Sequence, residues 1–205
     1  MNYNELASKE SLNKTKKALE EKGYDVFSFE NRIQVLEKIK TLIPPNASVM
    51  NGASITLEKI GYTDLLKSGK NGWDDLHAKV DAESDPTKRA EIRKAGVSSD
   101  FYLGSVHALT EDGQMIIASN TGSQLPHVVF TSPNLIFVIG TQKIVPDLNE
   151  AMKRLEDYIL PLEDKRMKQA YGMGTTINKV VIFKGEHPIM GRKINVILVN
   201  EKLGF

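Results

Sequence analysis

The segment LIFVIG, residues 135–140, contains the longest uninterrupted apolar run of the sequence, at 135–139. A short run of aliphatic and aromatic side chains that stops at a glycine is typical of a strand buried on both faces. Strands of this kind occur mainly in parallel sheets, because helices cover both faces of such sheets. The segment therefore predicts a central strand of an α/β domain.

Strands and helices alternate on both sides of this segment. The remaining strands are predicted at 24–29, 47–51, 100–108, 114–119, 180–183 and 194–199. Apolar periodicity and capping residues predict a first helix that stops at Gly23, and further helices at 33–43, 55–60, 86–95, 125–130 and 147–159. Pro161 is expected to break or kink the last of these before a further helix reaches Tyr171. Between 62 and 80 the pattern predicts only a loop with a short helical piece.

This order of elements predicts a three-layer, Rossmann-like α/β fold with a mostly parallel sheet. An antiparallel hairpin is expected where 100–108 and 114–119 meet around the turn at 111–113. A chain of 205 residues with 40% hydrophobic content supports one well-buried core. Residues 1–205 are therefore expected to form a single domain, with 1–46 as its helical N-terminal part.

The composition excludes several classes of function. Lys and Arg total 27 against 26 Asp and Glu, so no large field of one sign is available to attract nucleic acid or an anionic membrane. No apolar run approaches the length of a membrane span, and a cytoplasmic protein is expected. The chain has no cysteine, which excludes thiolate nucleophiles, sulfur-based zinc sites and iron–sulfur clusters ligated in the usual way. Any redox centre must then lie in another subunit.

At two places a strand is followed by a loop of small residues and then by a helix, an arrangement that can bind an anion. They supply the candidate ligand-binding residues Gly52, Ser54, Thr121, Gly122, Ser123 and Gln124. Glycine allows close approach of the backbone, and hydroxyl groups add donors to the free amides of a helix N-terminus. The alternative for each loop is structural, since Ser54 and Ser123 are also good helix caps.

The hairpin contributes a second group of candidates. Adjacent carboxylates at Glu111 and Asp112 could repel each other and raise the pKa of one of them, which suits Glu111 to nucleophilic or acid–base catalysis. Equally, Glu-Asp-Gly is common turn chemistry at a solvated tip. Ser105 and His107 lie on one side of the preceding strand, and Lys143 follows the buried strand at its carboxyl end. We expect the hairpin tip, the 120–124 loop and Lys143 to meet around one anion-binding hollow.

No metal site is expected. His107, His127 and His187 could join Glu111 in principle, but their spacing matches no compact ligand pattern. No serine stands in Gly-x-Ser-x-Gly, so a serine hydrolase is not indicated.

The order of motifs resembles the LUD domain of the LutC/YkgG lactate-utilization family. The resemblance covers most of the chain from about Ala47. It is carried by DFYLGSVHALTEDGQMIIASNTGSQ (100–124), PNLIFVIGTQKIVPDLNEAMKRLEDYILPLEDKR (133–166), TTINKVVIF (175–183) and GRKINVILVNEKLGF (191–205). A family motif of the type Ser-x-Asn-Ala-Ile-Thr-Glu-Asp-Gly falls on 105–113, where His107 occupies a position at which many relatives carry Asn.

The resemblance implies a fold similar to the ribose-phosphate isomerase, glucosamine-phosphate deaminase and CoA-transferase group. It also implies a role in oxidising lactate to pyruvate beside iron–sulfur protein partners, with a small anionic metabolite as ligand. Two other functions remain open. CoA-transferases use a glutamate nucleophile in a Ser-Glu-Asn-Gly type turn, which 110–113 resembles, so Glu111 could serve a free-standing acyl- or CoA-transferase-like enzyme. A non-catalytic ligand-binding protein is the other alternative. A homodimer is also expected if the domain exposes an apolar patch.

Overall fold

The computed structural model describes residues 1–205 and contains two sheets. The larger sheet has six strands, all parallel, in the spatial order β1 (Asp25–Phe29), β10 (Lys193–Val199), β7 (Asn134–Gly140), β4 (Phe101–Gly104), β2 (Ser48–Asn51) and β3 (Asp74–Asp75). Strand β7 lies inside this sheet, and residues 135–139 are fully buried. The prediction of a central strand from LIFVIG is confirmed.

The smaller sheet is mixed and has the spatial order β8 (Ile144–Val145), β5 (Ala108–Thr110), β6 (Met115–Ser119) and β9 (Lys179–Phe183). Strands β5 and β6 form the expected antiparallel hairpin, β6 pairs with β9 in the antiparallel sense, and β5 pairs with β8 in parallel. The fold is therefore α/β, with a six-stranded parallel sheet and a small mixed sheet.

Helices cover the larger sheet on both faces. They are α1 (Lys9–Glu21), α2 (Ile33–Leu42), α3 (Ile55–Lys59), α4 (Tyr62–Lys67), α5 (Leu76–Ala82), α6 (Pro86–Ala95), α7 (Leu148–Lys153) and α8 (Leu160–Tyr171). None has the length and apolar content needed to cross a membrane.

The side chains of β7 alternate between two cores. Leu135 and Phe137 pack with residues of α1, α5 and the small sheet, whereas Ile136 and Val138 pack with residues of α2, α3 and α4. Because successive side chains of a strand point to opposite faces, one apolar run serves both cores. The small sheet thus acts as part of a third layer.

Three expectations about the elements are wrong. The predicted strand 100–108 is two strands in different sheets, because the chain leaves the larger sheet after Gly104. The predicted loop at 62–80 contains α4, β3 and α5, and the side chain of Asp75 caps α5 by accepting the amide N–H of Ala78. The predicted break at Pro161 is absent, because a wider π-helical turn, Arg154–Ile159, joins α7 directly to α8, whereas a kink there stays a prediction.

Candidate functional site

A cavity of about 430 Å³ lies between the two sheets. Residues just beyond the carboxyl ends of four parallel strands line it: Gly52 after β2, Ser105 after β4, Lys143 after β7 and Gly204 after β10. The opposite wall consists of the end of β6, the 119–124 loop and the helical segment from 155 to 171. Ligands of open α/β sheets collect at this edge of the sheet, so the cavity is the candidate functional site.

Most of the residues expected to bind a ligand line this cavity. They are Gly52, Ser54, Ser105, His107, Thr121, Ser123, Gln124 and Lys143. Gly122 lies in the same loop with a left-handed φ of 86°, and an added Cβ would meet the side chain of Lys179 at 2.8 Å. Gly122 therefore shapes the loop and does not line the cavity.

The hairpin tip does not join this cavity. Glu111 instead accepts a hydrogen bond from Lys14 Nζ at 2.7 Å, and this contact is the main reason that its pKa is lowered. Burial raises the pKa of Asp112, but hydrogen bonds from Thr110 and from Gln114, together with the charge of Lys22 and a backbone hydrogen bond, outweigh that effect and lower it. The expectation that the hairpin tip meets the hollow is wrong, because neither carboxylate lines the cavity. The expectation that repulsion raises a carboxyl pKa is also wrong, because each carboxylate has its own hydrogen-bond donors.

Lys143 is the buried cation of the cavity, whereas Arg166, the other basic residue of the lining, pairs with Glu163 at 2.6 Å. Its side chain is 4% exposed, and its Nζ lies 3.1 Å from each of Thr56 Oγ1, Ser105 Oγ and the carbonyl oxygen of Val106. These partners are all neutral, and no carboxylate forms an ion pair with the ammonium. Burial, followed by the charges of Arg154 and Lys59, lowers its pKa from 10.5 to about 7. An anion placed beside Nζ would remove this electrostatic penalty.

Arg154 is a second buried cation, which the sequence reasoning missed. It is fully buried in the π-helical turn, and its Nη1 donates to the carbonyl oxygen of His107 at 2.8 Å. The guanidinium faces the rings of Tyr3 and Tyr158 at 5.9 and 5.4 Å from their centroids, while Nε and Nη2 have no partner. No carboxylate neutralises it. The sequence signal that could have predicted its burial is its position on the apolar face of the helix, one residue before Leu155 and three after Ala151.

His107 lies close enough to both cations for their charges to affect its pKa, and it has a defined tautomer. Its Nδ1 accepts the backbone N–H of Ala118 at 3.1 Å, so the ring proton is on Nε2. Burial, together with the charges of Lys143 and Arg154, lowers the pKa of His107 to about 3. The imidazole therefore stays neutral at physiological pH, and Nε2–H is a hydrogen-bond donor.

Gly52 and Gln124 of the cavity lining approach each other closely. Gln124 Nε2 donates to the carbonyl oxygen of Ala118 at 3.2 Å, and its Oε1 accepts from Tyr102 at 3.3 Å. A Cβ at Gly52 would lie 2.5 Å from that Oε1. Close approach, rather than a special backbone angle, explains the glycine.

The two hydroxyl loops differ in their hydrogen bonds. Ser54 caps α3 by accepting the N–H of Leu57 at 3.3 Å, so the structural alternative, a helix cap, is confirmed for Ser54. The Thr121 hydroxyl instead donates to Ser123 Oγ at 3.2 Å, and no helix amide is bonded to Ser123. The second loop therefore keeps hydroxyl groups available at the cavity. No group of three or more His, Asp or Glu side chains is placed to hold a metal ion.

Comparisons with known proteins agree with this architecture. A family model described as LUD domain matches residues 12–199. The structure is similar to the crystal structure of a DUF162 family protein from Deinococcus radiodurans, with 13% identity and a TM-score of 0.60. The match covers 96% of this chain and 100% of that one, and at this identity it shows a shared fold. No curated protein matches the chain.

Proposed function

The chain belongs to the LUD domain family, and from this premise we propose that it binds a small anionic metabolite in support of the oxidation of lactate to pyruvate. The LUD domain is associated with lactate utilization. The proposal concerns what this chain contributes, which is a binding site for an organic acid.

One observation carries the proposal. Lys143 lines the cavity, Arg154 is buried next in sequence to the lining residue Leu155, and neither cation has a carboxylate partner. An unpaired buried charge costs several kcal/mol, so such groups persist mainly where a ligand or reaction uses them. A carboxylate in the cavity would supply the missing negative charge.

The neutral groups around Lys143 suit the oxygens of a hydroxy or oxo acid. The ammonium would face one carboxylate oxygen, and His107 Nε2–H would donate to a second oxygen of the ligand. Ser105 is within 3.1 Å of Lys143 Nζ and can donate or accept, which matches both a carbonyl and a hydroxyl group. Together these groups can bind and orient the acid, and none of them is a redox centre.

The electrons released by the oxidation of lactate require an acceptor in another protein. Two electrons leave lactate when it becomes pyruvate, and the chain has no cysteine with which to hold an iron–sulfur cluster. We therefore assign the redox centre to an iron–sulfur protein that acts beside this one. Affinity purification of the native protein from lactate-grown cells should recover such a partner. A deletion strain that grows normally on lactate would count against the proposal.

Calorimetric titration tests the binding site itself. We expect the protein to bind pyruvate or lactate, and Lys143→Met to reduce the affinity at least tenfold, because Met keeps the length of the side chain but removes the charge. Lys14→Met is the matched control, since Lys14 is exposed and pairs with Glu111 away from the cavity. Equal affinities for all three proteins, or no binding to any, would refute the assignment.

The expected homodimer stays a prediction. Val129, Phe130, Ile189 and Met190 are exposed apolar side chains, and Arg192 bridges the two segments that carry them. Analytical ultracentrifugation of the protein and of Phe130→Ser would measure whether this surface joins two copies.

A further inference from the structure

The cavity is much larger than lactate. Six waters, which match lactate in the number of non-hydrogen atoms, occupy about 180 Å³ in the liquid. This is less than half of the cavity volume of about 430 Å³, although part of that volume is open to solvent. A ligand site normally encloses most of the surface of its ligand. Lactate or pyruvate would leave much of this space to water.

The remaining space has an apolar wall. Ala118, Leu155, Ile159, Ile177 and Phe205 line the cavity, and all belong to the apolar cluster beneath the small sheet or pack against it. Leu160 and Met167 line the cavity on the long helix, and between them Glu163 and Arg166 form an ion pair at 2.6 Å, so that their charges compensate each other. Water against an apolar surface is unfavourable, and an apolar group would release it.

The buried cation of the lining lies at one end. Lys143 bonds to Thr56 and Ser105, and an added Cβ at Gly204 would lie 3.3 Å from Lys143 Nζ. Phe205, the next residue, already belongs to the apolar wall. The cavity therefore places a buried cation next to an apolar surface. This arrangement suits an amphipathic ligand that has an anionic end and an apolar end.

We propose that the cavity binds a carboxylate attached to an aromatic or branched hydrocarbon body, with the carboxylate at Lys143 and the body against the apolar wall. This inference rests on the proposed function, because it assumes that Lys143 binds an anion. It adds that the preferred ligand is larger than lactate and pyruvate. The preferred acid would belong to the class of 2-hydroxy or 2-oxo acids with an apolar side chain.

Two matched pairs of probes test the two halves of the ligand. Pyruvate and phenylpyruvate share the oxo acid and differ in the ring, whereas phenylacetone has the ring and the ketone but no carboxylate. We expect calorimetry to show phenylpyruvate binding roughly 10–100-fold more tightly than pyruvate, the gain typical of burying a phenyl-sized group. Phenylacetone should bind at least about tenfold more weakly than phenylpyruvate, because a partner of the buried ammonium is lost.

Two variants separate the apolar wall from the cationic end. Met167→Gln keeps the length of a half-buried wall residue but makes it polar, and its matched control is Met173→Gln, at an exposed position outside the cavity. We expect Met167→Gln to weaken phenylpyruvate binding several-fold and to leave pyruvate affinity within about twofold. Lys143→Met should weaken the binding of both acids.

The outcomes distinguish the inference from the function on which it rests. If pyruvate binds as tightly as phenylpyruvate and both depend on Lys143, the site binds an anion but the inference about its apolar body is overturned. If phenylacetone binds as well as phenylpyruvate, the carboxylate half is overturned. If neither acid binds, the proposed function fails and the inference falls with it.

Discussion

Lys143 shows most directly how a single residue connects the fold to the proposed function. Its folded-state pKa of about 7 is below the ordinary value of 10.5. Between these values the unfolded chain binds more protons than the folded one, so the contribution of Lys143 makes stability rise with pH from about 7 to 10.5. Below pH 7 the amine is charged in both states, and the cost of burying that charge is fully present.

Lys143→Met should therefore change the pH dependence of stability. The free energy of unfolding of the variant, minus that of the native protein, should be largest near pH 6 and should decline towards pH 10. The change is of the order of a few kcal/mol, since one pKa unit corresponds to about 1.4 kcal/mol. Denaturant titrations at several pH values measure it, with Lys14→Met as control. A difference that does not vary with pH would contradict the burial of an unpaired amine.

His107 leads to a second prediction, which concerns stability at acidic pH. Its pKa is lowered from 6.5 to about 3, so below pH 6.5 the unfolded chain gains a proton that the folded protein does not. Stability is therefore lost as the pH falls from 6.5 towards 3. In His107→Asn, the amide oxygen can still accept the N–H of Ala118, but no proton is bound. We expect this variant to lose less stability between pH 6.5 and 4, as measured by urea unfolding. An unchanged acid dependence would show that other groups dominate.

Glu111 should not contribute to ligand binding. Its carboxylate pairs with Lys14 and does not line the cavity. Glu111→Gln should leave the affinity for pyruvate within about twofold in a titration, because no ligand contact is removed. Loss of binding in this variant, with the fold intact by circular dichroism, would restore the hairpin tip as part of the site.

The sequence predicts some residues of the cavity but not their partners. Ser105, His107 and Lys143 are predicted there from their strand positions, because the carboxyl ends of parallel strands have a known relation to ligand sites, and all three line the cavity. Arg154 was missed because its burial depends on Tyr3 and Tyr158, one of which is remote in sequence. Glu111 was overestimated because the position of Lys14 beside it is a tertiary contact.

At the level of elements, the division of 100–108 between two sheets creates the site. Strand β4 ends at Gly104 and β5 begins at Ala108, so Ser105 and His107 lie in the segment that crosses from one sheet to the other. Both halves are apolar, which is why periodicity alone predicted one strand. Which sheet each half joins depends on pairing with β2 and β7 on one side and with β6 and β8 on the other.

The end of β7 provides a test of how closely the chain packs at the carboxyl edge of the larger sheet. A Cβ at Gly140 would lie 2.5 Å from the carbonyl oxygen of Glu201 and 2.8 Å from the backbone N of Leu203. Backbone atoms cannot move aside as side chains do, so Gly140→Ala should lower the free energy of unfolding by about 3 kcal/mol. Gly185→Ala is the control, since nothing lies within 4 Å of its added Cβ. Equal unfolding midpoints in a urea titration would contradict the close packing of these segments.

At the scale of the whole molecule, the class of fold follows from patterns and the cavity does not. The order of strands and helices predicts a parallel sheet covered on both faces, because buried strands and amphipathic helices have different apolar periods. The space between the sheets depends on how the small sheet and the long helix pack across the carboxyl edge. No local pattern encodes that volume, and hence the size of the ligand could be inferred only from the structure.

The protonation of Lys143 during binding is the most direct test of an anion site at this edge of the sheet. Titration of pyruvate at pH 8, in buffers that differ in ionisation enthalpy, measures the protons taken up per ligand bound. Because an anion beside Nζ favours its charged form, we predict uptake of up to about one proton by the native protein and none by Lys143→Met. Binding of pyruvate without proton uptake, or with the same uptake in both proteins, would contradict the account.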